Sequence, residues 1–247
     1  MTISECYCIN LYERDDRMQE AKKVFEKYDL PVKFYRVHKN TESGKKGCFT
    51  SHVNIIKEAY AKQLNNVLIF EDDIVCNLTK EEFDKKMADV YAFMEKNNYD
   101  IFFIGSIPDI FNKTVTKISK NIYQVNSFCT HAYILSKSGI DKYKDLIYSD
   151  ISIDFIYLNS NNAFAMYPSI FYQNESKSDI APSWFNYCGF KNNSVKLREY
   201  YAMHINIPLT WPIILLIISS LVAFFMTKKL IFMILPILYV GYHLLKY

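Results

Sequence analysis

Strand-like and helix-like stretches alternate along the first 200 residues, and this alternation limits the folds that the chain can adopt. Short apolar runs such as CYCINLY and NVLIF are separated by stretches in which apolar residues recur every three or four positions. In RDDRMQEAKKVFEKYDL these residues are Met18, Ala21, Phe25 and Tyr28, which is the spacing of one helix face. Strand followed by helix, repeated several times, predicts an α/β fold in which helices cover both faces of a sheet.

Further elements follow from the same periodicity. We expect strands at VKFYRVH, DIFFIG, TKISKNIYQV and CTHAYILS, the third of them half exposed because its residues alternate in polarity. We expect helices at KSGIDKYKDLIY and at CFTSHVNIIKEAYAKQ, the latter with Val53, Ile56 and Tyr60 on its apolar face. Thr79 and Glu82 have the spacing of a capping box, which predicts that another helix begins there.

Three consecutive acids, Glu71, Asp72 and Asp73, come directly after NVLIF. Open α/β sheets bind ligands beyond the carboxyl ends of their strands, so the acids stand where a site is expected. A carboxylate cluster there can hold a hard divalent cation, supply general acid and base groups, or cap the next helix. In an extended chain Glu71 and Asp73 face one side and Asp72 the other. We therefore expect Glu71 and Asp73 to bind Mn²⁺ or Mg²⁺, ions that can also hold the diphosphate of a sugar nucleotide.

Composition and missing motifs argue against several other functions. The 29 basic residues are balanced by 26 acidic ones, and a formal charge of +3 gives no reason to expect a nucleic-acid partner. Neither GxxxxGK[ST] nor GxGxxG occurs, so the glycine loops of the usual ATP and dinucleotide sites are missing. The six cysteines form no CxxC pair and have no zinc-finger spacing, which favours free thiols in a reduced compartment.

The last part of the sequence is apolar. Residues 205–226 carry no charge over about 22 positions, enough for one helical membrane span, and residues 230–245 form a shorter uncharged segment. A buried helical hairpin is the alternative, but neither segment has the polar stripe of a globular helix. We expect a catalytic domain over residues 1–204 and a membrane anchor over residues 205–247, with the second span left open. The absence of a signal-peptide pattern and the basic residues before the first span favour a catalytic domain on the cytosolic face.

Six stretches come in a characteristic order: INLYERDDR, GCFTSH, LIFEDD, THAYILSKSG, ISIDFIYL and YPSIFYQNESKSDI, together covering roughly residues 5–182. In this order they resemble glycosyltransferase family 25, which includes bacterial lipooligosaccharide galactosyltransferases and collagen hydroxylysine galactosyltransferases. The resemblance implies a single GT-A-type, Rossmann-like nucleotide-sugar domain, UDP-galactose as donor, Mn²⁺ as cofactor and inversion at the transferred sugar. Cys129 departs from the pattern, because family members often have Gly at this position.

The resemblance also implies roles for individual residues. Asp154 matches the acidic position of the family's corresponding helix, and we expect it to act as general base toward the acceptor hydroxyl. Arg14 is preferred over Arg17 for donor contact because it is nearer the end of the first strand. The residues expected to contact the donor lie after the first strand, in the GCFTSH helix, among the acids and near the final stretch: Asn10, Leu11, Arg14, Lys46, Gly47, Ser51, His52, Asp72 and Gln173.

The expected partners are a UDP-sugar donor, a hydroxyl of a glycan or protein acceptor, and a membrane. Two alternatives remain open: UDP-glucose as the donor, and a catalytically inactive family member that serves as a tail-anchored scaffold. The scaffold would be expected to lose its site carboxylates, but all four of them are present: Glu71, Asp72, Asp73 and Asp154. The acceptor cannot be chosen from the sequence among lipooligosaccharide, a collagen-like chain and a surface glycan.

Overall fold

Strands and helices alternate in the computed structural model, which describes residues 2–111, 115–174, 192–227 and 236. The strands are β1 (Glu5–Leu11), β2 (Val32–Val37), β3 (Asn66–Glu71), β4 (Ile74–Val75), β5 (Ile101–Pro108), β6 (Thr116–Lys117), β7 (Ile122–Gln124), β8 (Ser127–Ser136), β9 (Ala163–Met166) and β10 (Tyr172–Gln173). The helices are α1 (Asp15–Lys27), α2 (Gly44–Ala61), α3 (Lys80–Lys96), α4 (Lys137–Tyr143), α5 (Ile153–Leu158), α6 (Asn192–His204) and α7 (Thr210–Thr227).

The central sheet has eight strands in the order β2-β1-β3-β8-β5-β9-β7-β6. β1 pairs in parallel with β2 and β3, and β5 pairs in parallel with β9. β8 lies antiparallel between β3 and β5, and β7 and β6 continue the sheet antiparallel beyond β9. The sheet is therefore mixed. The carboxyl ends of β1, β2 and β3 meet at one edge, and the start of the antiparallel β8 lies at that same edge.

Helices cover both faces of the sheet, as the alternation predicts. Along β3, Leu68 and Phe70 pack into the core under α1 and α3, whereas Val67 and Ile69 pack into the core under α2, α4 and α5. All four side chains are at most 1% exposed. Burial of a side chain of this size contributes roughly 1.5–3 kcal/mol, so this central strand is strongly fixed between the two layers.

Local signals in the sequence are confirmed at several helix ends and corrected elsewhere. The capping box is present: the Thr79 hydroxyl accepts from the Glu82 N–H, and the Glu82 carboxylate accepts from the Thr79 N–H at 2.8 Å. Tyr60 is 48% exposed and not part of the buried face of α2; instead its ring lies 4.5 Å from the Lys144 ammonium. The stretch TKISKNIYQV forms the β6–β7 hairpin rather than one strand, because the polar residues 119–121 turn the chain.

The C-terminal part of the described chain is packed onto the sheet domain by α6. Glu199 of α6 is 1% exposed and accepts hydrogen bonds from the Ser169 N–H (3.0 Å) and the Tyr172 hydroxyl (2.9 Å). Residues 210–227 form α7, but among the described residues no helix has both the length and the apolar character needed to cross a membrane. The second expected span, residues 230–245, lies outside the described residues except for residue 236.

Candidate functional site

A cleft opens at the edge where the carboxyl ends of β1, β2 and β3 meet, and its empty space, counted out into the open solvent, is about 840 Å³. The first turns of α2, the acids after β3 and β10 form its other walls. Nine of the residues expected at the site line this cleft: Asn10, Leu11, Gly47, Ser51, His52, Glu71, Asp72, Asp73 and Gln173. The cleft also contains residues that the sequence did not single out, among them Val37, His38, Lys39 and Asn40, which follow the end of β2. They could have been found by treating the end of every parallel strand as part of the site.

The three acids have different neighbours. β3 ends at Glu71, and Asp72 and Asp73 form a turn before β4. The expected alternation of Glu71 and Asp73 along an extended chain is therefore wrong, because the backbone turns immediately after Glu71. Among the described residues the three carboxylates do not form one compact ligand set.

Asp72 is held by two side chains from the β1–α1 region. Its Oδ2 accepts a hydrogen bond from Asn10 Nδ2 (2.7 Å), and its Oδ1 pairs with Arg17 Nη1 (3.1 Å). Asn10 is 1% exposed and Arg17 is 8% exposed, so both contacts are buried. Burial raises the pKa of Asp72, although Asn10 and Arg17 oppose the shift. This arrangement fixes the turn of the acids against the end of β1.

Asp73 is the acid with the least satisfied side chain. Its Oδ1 is buried and has no hydrogen-bond partner, and its Oδ2 lies 3.8 Å from Arg17 Nη1. Burial, then the charge of Glu71, raises the pKa of Asp73 to about 7, against the opposing effects of Arg17 and Gln173. A buried carboxylate oxygen without a partner is unfavourable unless a proton or a cation compensates it. Asp73 is therefore suited to hold a cation in the cleft.

Glu71 faces the opposite direction, toward α2 and β8. Its Oε1 accepts a hydrogen bond from the Thr130 hydroxyl (2.9 Å) and lies 3.7 Å from His52 Nε2. Burial pushes the pKa of Glu71 up, but His52, His131 and Thr130 together hold it below the usual value. Glu71 thus carries its negative charge beside a fully buried histidine.

Asp154 lies near this group, at the start of α5. The Thr130 hydroxyl contacts its carboxylate as well as that of Glu71, so one hydroxyl stands between the two acids. Oδ1 of Asp154 is buried without a hydrogen-bond partner. Burial, and then the charge of Glu71, raises the pKa of Asp154 to about 6. Asp154 is not among the residues that line the cleft itself; it stands behind Glu71 and Thr130.

Thr130 was not singled out from the sequence, although it connects the two acids. It is 2% exposed and follows Cys129, whose φ of 64° lies in the left-handed region. A residue with a side chain is strained there, and Gly is not. The structure thus explains the departure from the family pattern: Cys129 keeps the backbone conformation that favours Gly. In the sequence, Thr130 could have been found because it directly follows Cys129, the position that departs from the family pattern.

Two of the expected donor contacts lie away from the cleft wall. The Arg14 guanidinium pairs with the exposed carboxylate of Asp16 (2.9 Å), and Lys46 pairs with Glu42 (2.5 Å). Arg17, which was placed second to Arg14, is the arginine that lines the cleft. The preference for Arg14 is thus not supported: Arg17 lies in the first turn of α1, where its side chain reaches back to Asp72.

Gly47 and Ser51 serve the local packing of α2. A Cβ atom on Gly47 would lie 2.8 Å from Asn40 Cβ, so the glycine allows the loop after β2 to pack on the helix. The Ser51 hydroxyl donates to the Gly47 carbonyl (2.8 Å). Both residues also line the cleft, where they are expected to contact the donor.

The mixed sheet defines the chain as an α/β protein, and the carboxylate-rich cleft at its carboxyl edge is its candidate ligand site. Residues 35–157 match the model of glycosyltransferase family 25 (LPS biosynthesis protein). The matched range contains GCFTSH, LIFEDD, THAYILSKSG and Asp154, and it confirms the family that these stretches resemble. Over this range the chain is a member of glycosyltransferase family 25, which supports a role in glycosyl transfer.

Solved structures resemble the chain only distantly. The A197 protein of STIV is 12% identical, with a TM-score of 0.37 over 68% of this chain and 83% of A197. HddC from Yersinia pseudotuberculosis is 16% identical, with a TM-score of 0.33 over 68% of this chain and 71% of HddC. The inositol-1-phosphate CTP transferase from T. maritima is 12% identical, with a TM-score of 0.38 over 79% of this chain and 77% of that protein. Scores this low carry no argument about function.

Proposed function

We propose that this chain is a metal-dependent, inverting glycosyltransferase with a GT-A-type domain, which moves galactose from UDP-galactose to a hydroxyl of a glycan or protein. The observation that carries the proposal is the convergence of nine expected site residues on one cleft, in a chain of this family. A cleft at the carboxyl edge of an α/β sheet is the place where such proteins usually bind their ligands.

The wall formed by α2 is suited to bind the donor's diphosphate. Gly44 and Gly47, in the first turn of this helix, line the cleft, and a helix N-terminus favours negative charge. Lys39 and Arg17 add basic side chains to the same cleft. Asn10 and Leu11, at the end of β1, then flank the nucleoside, and Asp72 serves by keeping Asn10 and Arg17 in place.

Asp73 would hold the Mn²⁺ or Mg²⁺ ion, and Glu71, which faces His52 and Thr130 in this structure, would have to change its side-chain conformation to join it. The fit rests on Asp73 Oδ1, which is buried without a partner, and on oxygen donors, which hard cations prefer. When bound, the ion would neutralise the charge that develops on the departing UDP. Gln173, beside Asp73 in the cleft, is suited to orient that carboxylate.

Asp154 would act as the general base. Inversion requires in-line attack by the acceptor hydroxyl, with one carboxylate to take its proton. The pKa of about 6 leaves Asp154 mostly ionised at neutral pH yet more basic than an ordinary aspartate. The Thr130 hydroxyl contacts both carboxylates and would hold Asp154 in place next to Glu71. Through this contact the proposed base is connected to the end of the cleft that would bind the cation.

UDP-glucose is the competing donor, and an inactive scaffold is the competing function. A scaffold has no use for two buried carboxylate oxygens without partners, on Asp73 and Asp154, which are unfavourable in a protein selected only for binding. We therefore favour the enzyme. No feature of the cleft distinguishes galactose from glucose, and the choice of galactose rests on what is common in the family.

We also propose that residues 205–226 attach the protein to a membrane, with the catalytic domain on the cytosolic face. The support is a set of apolar side chains on α7 that are more than half exposed: Leu215, Leu216, Ile218, Val222 and Met226. Exposed apolar surface of this extent is typical of contact with a lipid or a protein. If Leu215→Glu/Val222→Glu releases the chain from liposomes in a flotation assay, the tether is supported; unchanged flotation would argue against it.

A screen of nucleotide sugars against an acceptor array tests the transferase proposal. We expect turnover with UDP-galactose and Mn²⁺, and a product whose anomeric configuration, read by NMR, is opposite to that of the donor. Asp154→Asn should lower kcat by about 10²–10⁴-fold, the usual contribution of a general base, with little change in donor affinity. Retention of configuration would contradict the inverting mechanism, and equal losses in kcat and affinity would assign Asp154 to donor binding.

A further inference from the structure

Cys48, His52 and Glu71 form a compact group at the inner end of the cleft. One side-chain ligand atom from each residue lies within 4.8 Å of the others. Cys48 and His52 are four residues apart on α2 and share one face of that helix, while Glu71 ends β3. All three residues line the cleft, so an ion has a route to them.

His52 is oriented toward this group. Its Nδ1 is hydrogen-bonded to the Tyr133 hydroxyl (2.8 Å), which fixes the ring. Its Nε2 is buried without a hydrogen-bond partner, and the residue is 0% exposed. A metal-binding histidine is usually held in this way, with one ring nitrogen on an outer partner and the other on the ion. Glu71 has its own outer partner in the Thr130 hydroxyl.

The spacing fits a tetrahedral ion better than a hydrogen bond. His52 Nε2 and Glu71 Oε1 are 3.7 Å apart, which is too long for a hydrogen bond. Around tetrahedral zinc, with N and O bonds of about 2.0–2.2 Å, two such ligand atoms lie about 3.3–3.6 Å apart. The His52–Glu71 pair is therefore close to the spacing of two zinc ligands, and the sulfur of Cys48 lies within 4.8 Å of the ligand atoms of both residues.

We propose that Cys48, His52 and Glu71 bind Zn²⁺ in this cleft. A thiolate and an imidazole select zinc over Mn²⁺ and Mg²⁺, which prefer sets made of oxygen atoms. Three protein ligands leave one tetrahedral position for water or a ligand in the cleft. On binding, the Cys48 thiol loses its proton to solvent and the sulfur forms the bond to the ion.

Zinc binding by these residues does not depend on the proposed glycosyl transfer. The two are connected only through Glu71, which the proposed Mn²⁺ site shares, so zinc and manganese should compete for the inner end of the cleft. That competition rests on the proposed function, whereas zinc binding itself is measurable without any sugar nucleotide.

Titration of the reduced, metal-free full chain with Co²⁺ tests the site. Co²⁺ reports thiolate ligation by a charge-transfer absorption in the near ultraviolet, and we expect one equivalent that Zn²⁺ displaces stoichiometrically. Cys48→Ser should abolish the absorption and His52→Gln should weaken binding at least tenfold. Cys76→Ser and Cys129→Ser, which remove cysteines outside the group, should leave the absorption unchanged.

Thermal unfolding of each metal-free variant checks that the fold is retained, and Glu71→Gln replaces His52→Gln if the latter does not fold. Excess Mg²⁺ should not displace Co²⁺ from the thiolate site. The proposal is overturned if the wild-type chain shows no thiolate absorption with Co²⁺, or if the absorption persists in Cys48→Ser. Either result would leave the glycosyltransferase assignment untouched, because neither depends on transfer.

Discussion

Replacement of Thr130 by valine removes the one hydroxyl that contacts both Glu71 and Asp154 and leaves the shape of the side chain almost unchanged. The bond to Glu71 is 2.9 Å long and is made to a charged group, so its loss weakens that interaction by about 1.5 kcal/mol. The same hydroxyl lowers the pKa of Asp154, whose value is about 6. The hydroxyl has one proton to share between the two carboxylates, so the loss at Asp154 is at most of this size. About 1.4 kcal/mol corresponds to about one pKa unit, so the pKa of Asp154 in the variant should rise by up to about one unit.

The sign of the effect on rate follows from the role of Asp154. A general base works only when ionised, so kcat should fall as the pH drops below the pKa. In Thr130→Val the midpoint of this fall should move upward, by at most about one pH unit, and the loss of activity should be largest near pH 6 and small near pH 8. The measurement is kcat for UDP-galactose transfer between pH 5 and 9, at saturating Mn²⁺.

Thr130→Ser is the matched control, because it keeps the hydroxyl and should keep the wild-type profile. A merely structural role would lower activity by the same factor at every pH. Therefore an unchanged midpoint in Thr130→Val, or a midpoint shifted equally in Thr130→Ser, would refute the reasoning that connects Thr130 to the base.

Three further substitutions test the architecture of the site and of the domain. Arg17→Ala should lower the free energy of unfolding by about 3 kcal/mol, because it leaves the buried carboxylate of Asp72 unpaired, whereas Arg14→Ala should change stability little. Cys129→Gly should be tolerated and Cys129→Val should destabilise by about 1–2 kcal/mol, because a φ of 64° disfavours branched side chains. Glu199→Ala should lower the free energy of unfolding by about 2–4 kcal/mol, because it leaves the buried Ser169 N–H and the buried Tyr172 hydroxyl without acceptors.

Denaturant unfolding monitored by circular dichroism measures all three effects. If Arg17→Ala and Arg14→Ala were equally stable, the buried ion pair would not be what holds the turn of the acids. Equal stability of the two variants at position 129 would contradict the left-handed backbone there. If Glu199→Ala lowered the free energy of unfolding by less than about 1 kcal/mol, α6 would not be firmly packed on the sheet.

Local sequence signals predicted the layers of the fold well. NVLIF forms a buried strand because each of its residues is apolar or lies at the strand's end. Thr79 and Glu82 form a capping box, which depends only on residues close together in the sequence. The acids directly follow NVLIF in the sequence, and this alone predicted that they lie at the carboxyl edge of the sheet. These features depend on neighbours in the sequence, which is why periodicity finds them.

The rest of the site depended on contacts between distant residues. The start of β8 is beside Glu71 only because β8 lies antiparallel between β3 and β5, and nothing in CTHAYILS gives that order. Thr130 was missed for this reason. Distance along the sequence favours Arg14 over Arg17, whereas the first turn of α1 directs Arg17 back toward Asp72. No glycine or proline marks the turn after Glu71, but Asp72 and Asp73 form it and aspartate itself favours turns, so the extended reading of the three acids overlooked this signal.

Isothermal titration of the full chain with UDP, with and without Mn²⁺, tests the central claim most directly. The claim is that the acids after β3 hold a cation which in turn holds the diphosphate in the cleft. We expect UDP to bind at least tenfold more tightly with Mn²⁺ than without it, and we expect Asp73→Asn to remove this difference while the fold is retained. UDP affinity that is the same with and without Mn²⁺, or a manganese effect that survives in Asp73→Asn, would contradict the account.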